Sequence, residues 1–304
     1  MDVIVGLSGR YKQTWDEQMR PVPPNARLVT LDDVLPSREP YYCIIAHNIS
    51  DMLDVKHLPG PRLVVIHSTL EGRAREENAT LPPEKLSAML AHYLALTGAH
   101  AVACSALKGA SWGLTDDIVP FAVDADDYPP HVGDVAAGLR ISNHITDRRH
   151  ILMWDFHESA FAGLPVRLVG HNPAMPGVSA AENWDDLKGI LSRHRFYIHT
   201  ARTDYEDGYN MATLEAMAAG LPVLGNRHPT SPVVDAVSGY LSDDSAELRR
   251  CAERLLADAD LAARMGQAAR QTVIEHFPLS AFCRDFAASI ETARQKYPTR
   301  RTNF

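Results

Sequence analysis

Apolar positions along this chain gather into short runs separated by amphipathic or polar stretches. Residues 3–5, 27–31, 43–46, 63–66 and 101–104 are rich in aliphatic side chains and too short for helices. They read as buried strands, and 118–123 predicts a further one. The helical period is clearest over 83–97. In the second half the pattern predicts strands at 140–142, 166–169, 195–199 and 221–224. Helices are predicted over 151–161, 185–191, 211–218, 247–256, 261–277 and 280–295. Interior strands alternating with helices imply α/β architecture with parallel, doubly wound sheets.

Residues 124–137, acidic and carrying Pro129 and Pro130, interrupt this alternation and read as a hinge. The expected division is a Rossmann-like domain over 1–125, a second over 126–280, and a last helix with a basic tail over 281–304. A length of 304 residues fits two domains of ordinary size. The net charge of −8 argues against a dedicated nucleic-acid binder. No stretch is long and apolar enough for a membrane span, and no basic region followed by an apolar run opens the chain. Cys43, Cys104, Cys251 and Cys283 form no CxxC pair and read as reduced thiols in a cytoplasmic protein. Asn78-Ala79-Thr80 fits a glycosylation sequon, which that location would leave unused.

The chemistry concentrates in DYEDGYNMATLEAMAAGLPVLG, from Asp204 to Gly225. A helix apolar nearly all round is expected to be buried, with Gly208 letting the chain enter it at an unusual angle and Gly220 stopping it. Asp207 lies ahead of the helix and Glu215 within it. Eight steps at 1.5 Å separate them by roughly 12 Å along a helix axis. A buried carboxylate needs a partner or a ligand, and N-terminal amides suit a phosphate. The segment therefore offers an acceptor for sugar hydroxyls, donors for phosphate, and an acceptor for ribose hydroxyls, the parts of a nucleotide-sugar in order.

This segment resembles the E-x7-E region of retaining glycosyltransferases of family 4, whose usual run is near EGFGLVLLEAMASGLPVV. Here Asp207 replaces the first Glu, one methylene shorter. The resemblance extends through LLADADLAARMGQAARQTVIEHF to Pro278, and more weakly to the N-terminus. It implies the GT-B fold, two Rossmann-like domains facing across a cleft, with the last helix crossing back to the first domain.

Other stretches fit the same resemblance. Gly6-Leu7-Ser8-Gly9 follows the first strand, which makes Gly9 and Arg10 candidates for donor contact. VVIHST resembles the strand whose His sits against the donor sugar, here His67. IIAHN around His47 and AVACSALKGAS resemble further family strands. IVPFAVDADDYPP resembles the end of the first domain, with Phe121-Ala122 in place of Asn-Gly. Arg140 matches the Arg that binds the diphosphate. Arg148, with Arg149 as the alternative, replaces the family's Lys and keeps its charge. Gly170 and His171 in GHNP fall where backbone groups hold the base. Asp124-Ala125-Asp126 also fits the D-x-D metal site of the other large transferase fold, but reads better as linker. After the central helix, NRHPTSPVVDAVSGYLSDD departs from the family's GGIPEVVEDGVTGLLV. Asn226, His228 and Ser231 stand there instead.

The resemblance implies transfer of a hexose from a UDP- or GDP-sugar to an acceptor hydroxyl, with retention and without a metal or cofactor. Glu215 would hold the ribose. Asp207 and the groups of Gly208, Tyr209 and Asn210 would hold the sugar. Arg140, Arg148 and His67 would serve the reacting centre. The acceptor is open among glycan, lipid-linked sugar, small molecule and protein. Peripheral contact with the cytoplasmic membrane face is open too, although no Lys- and Arg-rich amphipathic helix is evident. The alternatives are a sugar-nucleotide epimerase of the same fold and an inactive binding protein derived from a transferase.

Overall fold

The computed structural model describes residues 1–5, 15–76, 81–115 and 117–297. The chain divides into two compact units, Met1–Pro120 with Cys283–Phe304, and Phe121–Phe282.

The first unit contains β1 (Asp2–Val5), β2 (Arg27–Thr30), α1 (Leu31–Val34), β3 (Ile44–Ala46), α2 (Ile49–Asp54), β4 (Arg62–Ile66), α3 (Leu70–Glu76), α4 (Pro83–Thr97), β5 (His100–Ala103) and α5 (Ala106–Trp112). β1 and β2 form one parallel pair, and β3-β4-β5 form a parallel sheet with β4 in the middle. Every residue of β4 is buried, which is why its sequence is an unbroken apolar run after Arg62. α4 has the predicted bounds because Pro83 can open a helix and Gly98, at φ 62°, can close one.

The strand predicted over 118–123 does not form. Ile118 makes a single bridge with Ala103, and Val119 donates to the Ala103 carbonyl. Pro120 then has no N–H with which to continue the ladder.

The second unit contains a 3-10 turn at Ala125–Asp127, then β6 (Val135–Ile141), α6 (Trp154–Phe161), β7 (Val166–Val169), α7 (Trp184–Arg193), β8 (His194–Ile198), α8 (Met211–Ala218), β9 (Val223–Gly225), β10 (Gly239–Leu241), α9 (Ser245–Ala257) and α10 (Ala259–His276). α11 (Leu279–Lys296) begins at the end of this unit and belongs to the first from Cys283 onward. β6 starts at Val135, so the irregular connection is shorter than the expected hinge. Val135 pairs with His194, and a register shift before Gly138 absorbs the extra residues. Asp124 caps the 3-10 turn and Asp126 pairs with Arg270 at 3.2 Å, so both D-x-D carboxylates have structural partners.

All strands of the second unit are parallel, in the order β10-β9-β8-β6-β7. The chain leaves β6 for β7 on one side and then returns to β8 on the other. The topological switch point therefore lies between β6 and β8, and the crevice beyond their carboxyl ends is where open α/β sheets bind ligands.

α8 is the buried helix that the sequence predicts. Leu214 and Met217 are fully buried, each stabilising the unit by about 1.5–3 kcal/mol relative to exposure. The helix ends in a Schellman motif. Leu221 N–H donates to Ala216 O, Gly220 N–H donates to Met217 O, and Gly220 has φ 87°. α10 packs so closely here that a Cβ on Gly266 would lie 1.8 Å from Gly220 O.

Candidate active site

The switch point gathers most of the candidate residues of the second unit. Arg140, near the end of β6, is 2% exposed. Its Nη2 donates to the Leu152 carbonyl at 2.8 Å, and the guanidinium lies 5.6 Å from the Trp154 ring. Nη1 is buried with no hydrogen-bond partner among the described residues. The Arg140 pKa falls to about 10, chiefly through burial, with Tyr197 opposing the fall and Arg148 adding to it. A buried cation with an unused donor is costly unless an anion meets it.

Leu152 O holds the loop after β6 in place, since it also accepts from Thr200 Oγ1 at 2.6 Å. Met153, at φ 48°, turns the chain into α6, so the helix begins three residues later than the pattern over 151–161 suggested. On that loop Arg148 faces Glu206, with Nη2 3.8 Å from Oε2. Arg149 points away, is exposed, and pairs with Asp155 and Glu158. Of the two arginines, Arg148 is the one beside Arg140.

After β8 the chain runs through His199 to Asp207, which is 1% exposed. His199 Nε2 lies 3.3 Å from the Asp207 carbonyl oxygen. Its pKa falls to about 3, chiefly through burial and secondarily through Arg140, so it is a neutral imidazole. Glu206 Oε1 accepts the Asp207 N–H at 3.0 Å, and Thr230 Oγ1 accepts the Gly208 N–H at 2.9 Å. Gly208 does not adopt a left-handed conformation, contrary to the expectation of an unusual entry angle. Glycine is required because a Cβ would lie 2.8 Å from His228 Cβ. Asn210 is the N-cap of α8 and forms a capping box with Thr213, which uses its side chain and its backbone N–H. Tyr209 is buried against Phe277, ring centroids 5.4 Å apart. The amides of Asp207, Gly208 and Asn210 thus all have internal acceptors.

Glu215 is 6% exposed on the second turn of α8. Its neighbour is Tyr197 of β8, a residue the sequence reading did not single out. The Tyr197 phenol is 3.4 Å from Ile141 O and hydrogen-bonds Thr213. Its pKa is raised by burial and by Glu215, and lowered by Arg140. Tyr197 therefore lies within electrostatic reach of both candidate groups. The only advance signal was its place one residue from a strand's end, in RFYIH.

Gly170 follows β7 at φ 140°, where a Cβ would lie 2.2 Å from Ser142 O. His171 is exposed, its N–H donates to Asn143 Oδ1 at 2.8 Å, and its ring meets His144 edge-on at 5.1 Å. Asn172 ties the same two loops through Ser142 O and the Ile145 N–H, both at 2.8 Å. A cavity of about 520 Å³ opens over the carboxyl ends of β8 and β9, lined in part by Arg149, Arg202, Asn226, Arg227 and Asp243. Neither Asp207 nor Glu215 lines it.

In the first unit His67 follows β4. Its Nε2 is 2.7 Å from His47 Nδ1, with the rings 4.9 Å apart. Burial, His47 and Lys108 hold the His67 pKa down to about 3. Lys108 is 2% exposed on α5 and was another residue not anticipated. Gly9 and Arg10 lie outside the described residues.

Parallel strands and a polar cluster at the switch point define an α/β protein, and the fold is that of the GT-B glycosyltransferases. Residues 148–287 match the family described as glycosyl transferase-like. Among solved structures, HepE of Anabaena, in complex with UDP and glucose, is 12% identical at a TM-score of 0.64, covering 88% of this chain and 86% of that one. Sucrose-phosphate synthase of Thermosynechococcus elongatus is 15% identical at 0.61, covering 82% and 72%. Staphylococcus aureus TarM, in complex with fondaparinux, α-GlcNAc-glycerol and UDP, is 15% identical at 0.60, covering 79% of this chain. This chain spans 53% of TarM, about half its length. No curated protein matches.

Proposed function

We propose that this protein is a retaining glycosyltransferase of the family 4 type, moving a hexose from a UDP- or GDP-sugar to an acceptor hydroxyl without a metal. The observation that carries the reading is Arg140, a guanidinium 2% exposed at the switch point with Nη1 unpartnered among the described residues. A diphosphate oxygen would satisfy that donor, with Arg148 adding a second positive charge. The match of residues 148–287 to a glycosyl transferase-like family supports the same reading, as do the UDP complexes of HepE and TarM.

In this reading Glu215 accepts from the ribose hydroxyls and Asp207 from the hexose. Gly170 and His171 border the base, and the family resemblance assigns His67 to the sugar. The bond from the anomeric carbon to the diphosphate breaks as the bond to the acceptor oxygen forms on the same face. The departing phosphate oxygen takes the acceptor proton. Arg140 and Arg148 stabilise the charge that develops on the diphosphate, the contribution a preorganised cation makes to such a step. Cys43, Cys104, Cys251 and Cys283 are free thiols, and no described helix is long and apolar enough to cross a membrane. Reduced thiols would fit the cytoplasmic location that belongs to this reading.

Isothermal titration with UDP and GDP tests the reading, followed by incubation with UDP- and GDP-hexoses with and without EDTA. Expected are micromolar binding of one diphosphate, slow release of free α-configured sugar from an α-linked donor, and no effect of EDTA. An epimeric nucleotide-sugar as the product would support the epimerase instead. Absence of binding to either diphosphate would leave only the binding-protein alternative.

A further inference from the structure

We propose that the loop after β9, residues 226–230, is a two-point clamp on residues 201–208, and that His228 is a positioning residue for the nucleotide-sugar; the second half rests on the function proposed above. At the first point Asn226 grips the Ala201 peptide from both sides. Oδ1 accepts the Ala201 N–H at 3.0 Å and Nδ2 donates to the Ala201 carbonyl at 3.0 Å. At the second point the Gly208 N–H donates to Thr230 Oγ1 at 2.9 Å. Thr230 in turn leans on His228, with its N–H 3.2 Å and its Oγ1 3.1 Å from Nδ1.

These contacts fix the imidazole tautomer. A backbone N–H can only donate, so Nδ1 accepts and the ring proton sits on Nε2. The threonine hydroxyl, already accepting from Gly208, has its own hydrogen free to point at the same Nδ1. The result is a relay from the Gly208 amide through Thr230 to His228. The Cβ, Cγ and Nδ1 of His228 also crowd Gly208, leaving no room for a Cβ there. His228 is 7% exposed and sits within electrostatic reach of Asp207 and Glu206. His199, just after β8, reaches the Asp207 carbonyl between the two points.

The departure from paired glycines at this loop is thus not a loss of structure. Asn226 stands at the first glycine and holds Ala201, and Thr230, four residues on, holds Gly208, so the two contacts bracket the segment that carries Asp207. Pro229 stiffens the loop that carries them by fixing its own φ.

The test compares His228→Asn, His228→Gln, Thr230→Ser and Thr230→Val. An Asn side-chain oxygen can stand where Nδ1 stands, and a Gln group cannot. Amide hydrogen exchange on the full chain should show Gly208 protected in wild type, His228→Asn and Thr230→Ser. It should exchange at least tenfold faster in Thr230→Val and His228→Gln. Unchanged protection in Thr230→Val would overturn the clamp. For whichever of UDP or GDP the wild type binds, Kd should stay within about threefold in the Asn and Ser variants. It should rise more than tenfold in the Gln and Val variants. Retention by Gln with loss by Asn would move the role to Nε2 and overturn the relay. If wild type binds neither nucleotide, the proposed function fails and the donor half of this inference fails with it, whereas the exchange result still decides the clamp.

Discussion

Glu206 holds two groups of the candidate site with one carboxylate. Its Oε2 lies 3.8 Å from Arg148 Nη2, and its Oε1 accepts the Asp207 N–H at 3.0 Å. A side-chain anion thus faces the arginine assigned to the diphosphate. A Gln at this position keeps an oxygen for the Asp207 amide and removes the competing charge. Glu206→Gln is expected to bind inorganic pyrophosphate about three- to tenfold more tightly, within the range of a partly screened ion pair. Titration at two salt concentrations checks this. Weaker binding would mean that Glu206 serves to hold Arg148 in its working place.

Arg140 separates stability from function. Desolvation of its guanidinium is not offset by an internal ion pair in any described contact, since its partners are a carbonyl and an aromatic ring. An apolar residue of similar length suits such a site as well as a charge does or better. Arg140→Met should leave the melting temperature unchanged or raise it by a few degrees. The same change should cost at least about 2 kcal/mol of nucleotide affinity, roughly 30-fold in Kd. A melting scan and a UDP or GDP titration on one preparation suffice. A variant that melts much lower while still binding would show that Arg140 is a structural residue.

Gly208 and His228 should couple strongly. A Cβ at position 208 would meet His228 Cβ at 2.8 Å and Cγ at 2.9 Å, atoms too close to the backbone to swing aside. Overpacking of this kind costs about 1–3 kcal/mol. Gly208→Ala alone should destabilise by that amount, whereas in a His228→Ala background the same change should cost little. A double-mutant cycle in urea measures the difference. Additive effects would mean that the loop shifts freely and that the close packing is incidental.

Much of the fold was legible because its signals are local. α4 and α8 carry their own stop signals in Gly98 and Gly220, and β4 is an apolar run bounded by Arg62 and His67. The strand at 118–123 misled because Pro120 sits among apolar residues, where a missing N–H leaves no mark on hydrophobicity. β6 begins earlier than the pattern because Val135 and Ala136 precede a glycine and extend the ladder through a bulge. In the candidate site, Arg140 and Asp207 were singled out from their neighbours in sequence, and both are buried. Tyr197, His199 and Lys108 were not, because their significance lies in what reaches them from other segments. Gly208 was recognised as necessary for the wrong reason, since the clash it avoids comes from a residue twenty positions away.

Buried neutral histidines should make the protein acid-sensitive. Burial lowers the pKa of His199 to about 3 and that of His157 to about 2, with Arg140 adding to both. Against a usual value near 6.5, the native state binds fewer protons than the unfolded chain between pH 6.5 and those values. Stability is then fully present above pH 6.5 and lost as pH falls toward 3. By linkage each such group costs up to about 2 kcal/mol at pH 5. His157 isolates the effect, because its ring stacks on Trp154 at 4.4 Å and its Nδ1 is buried without a hydrogen bond among the described residues. Phenylalanine fills the same space with nothing to protonate. His157→Phe should match or exceed wild-type stability at pH 7.5 and lose about 1.4 kcal/mol less per pH unit below 6.5. Urea unfolding at pH 7.5, 6.0 and 5.0 gives both slopes. Parallel slopes for the two proteins would show that His157 takes up its proton without unfolding the domain.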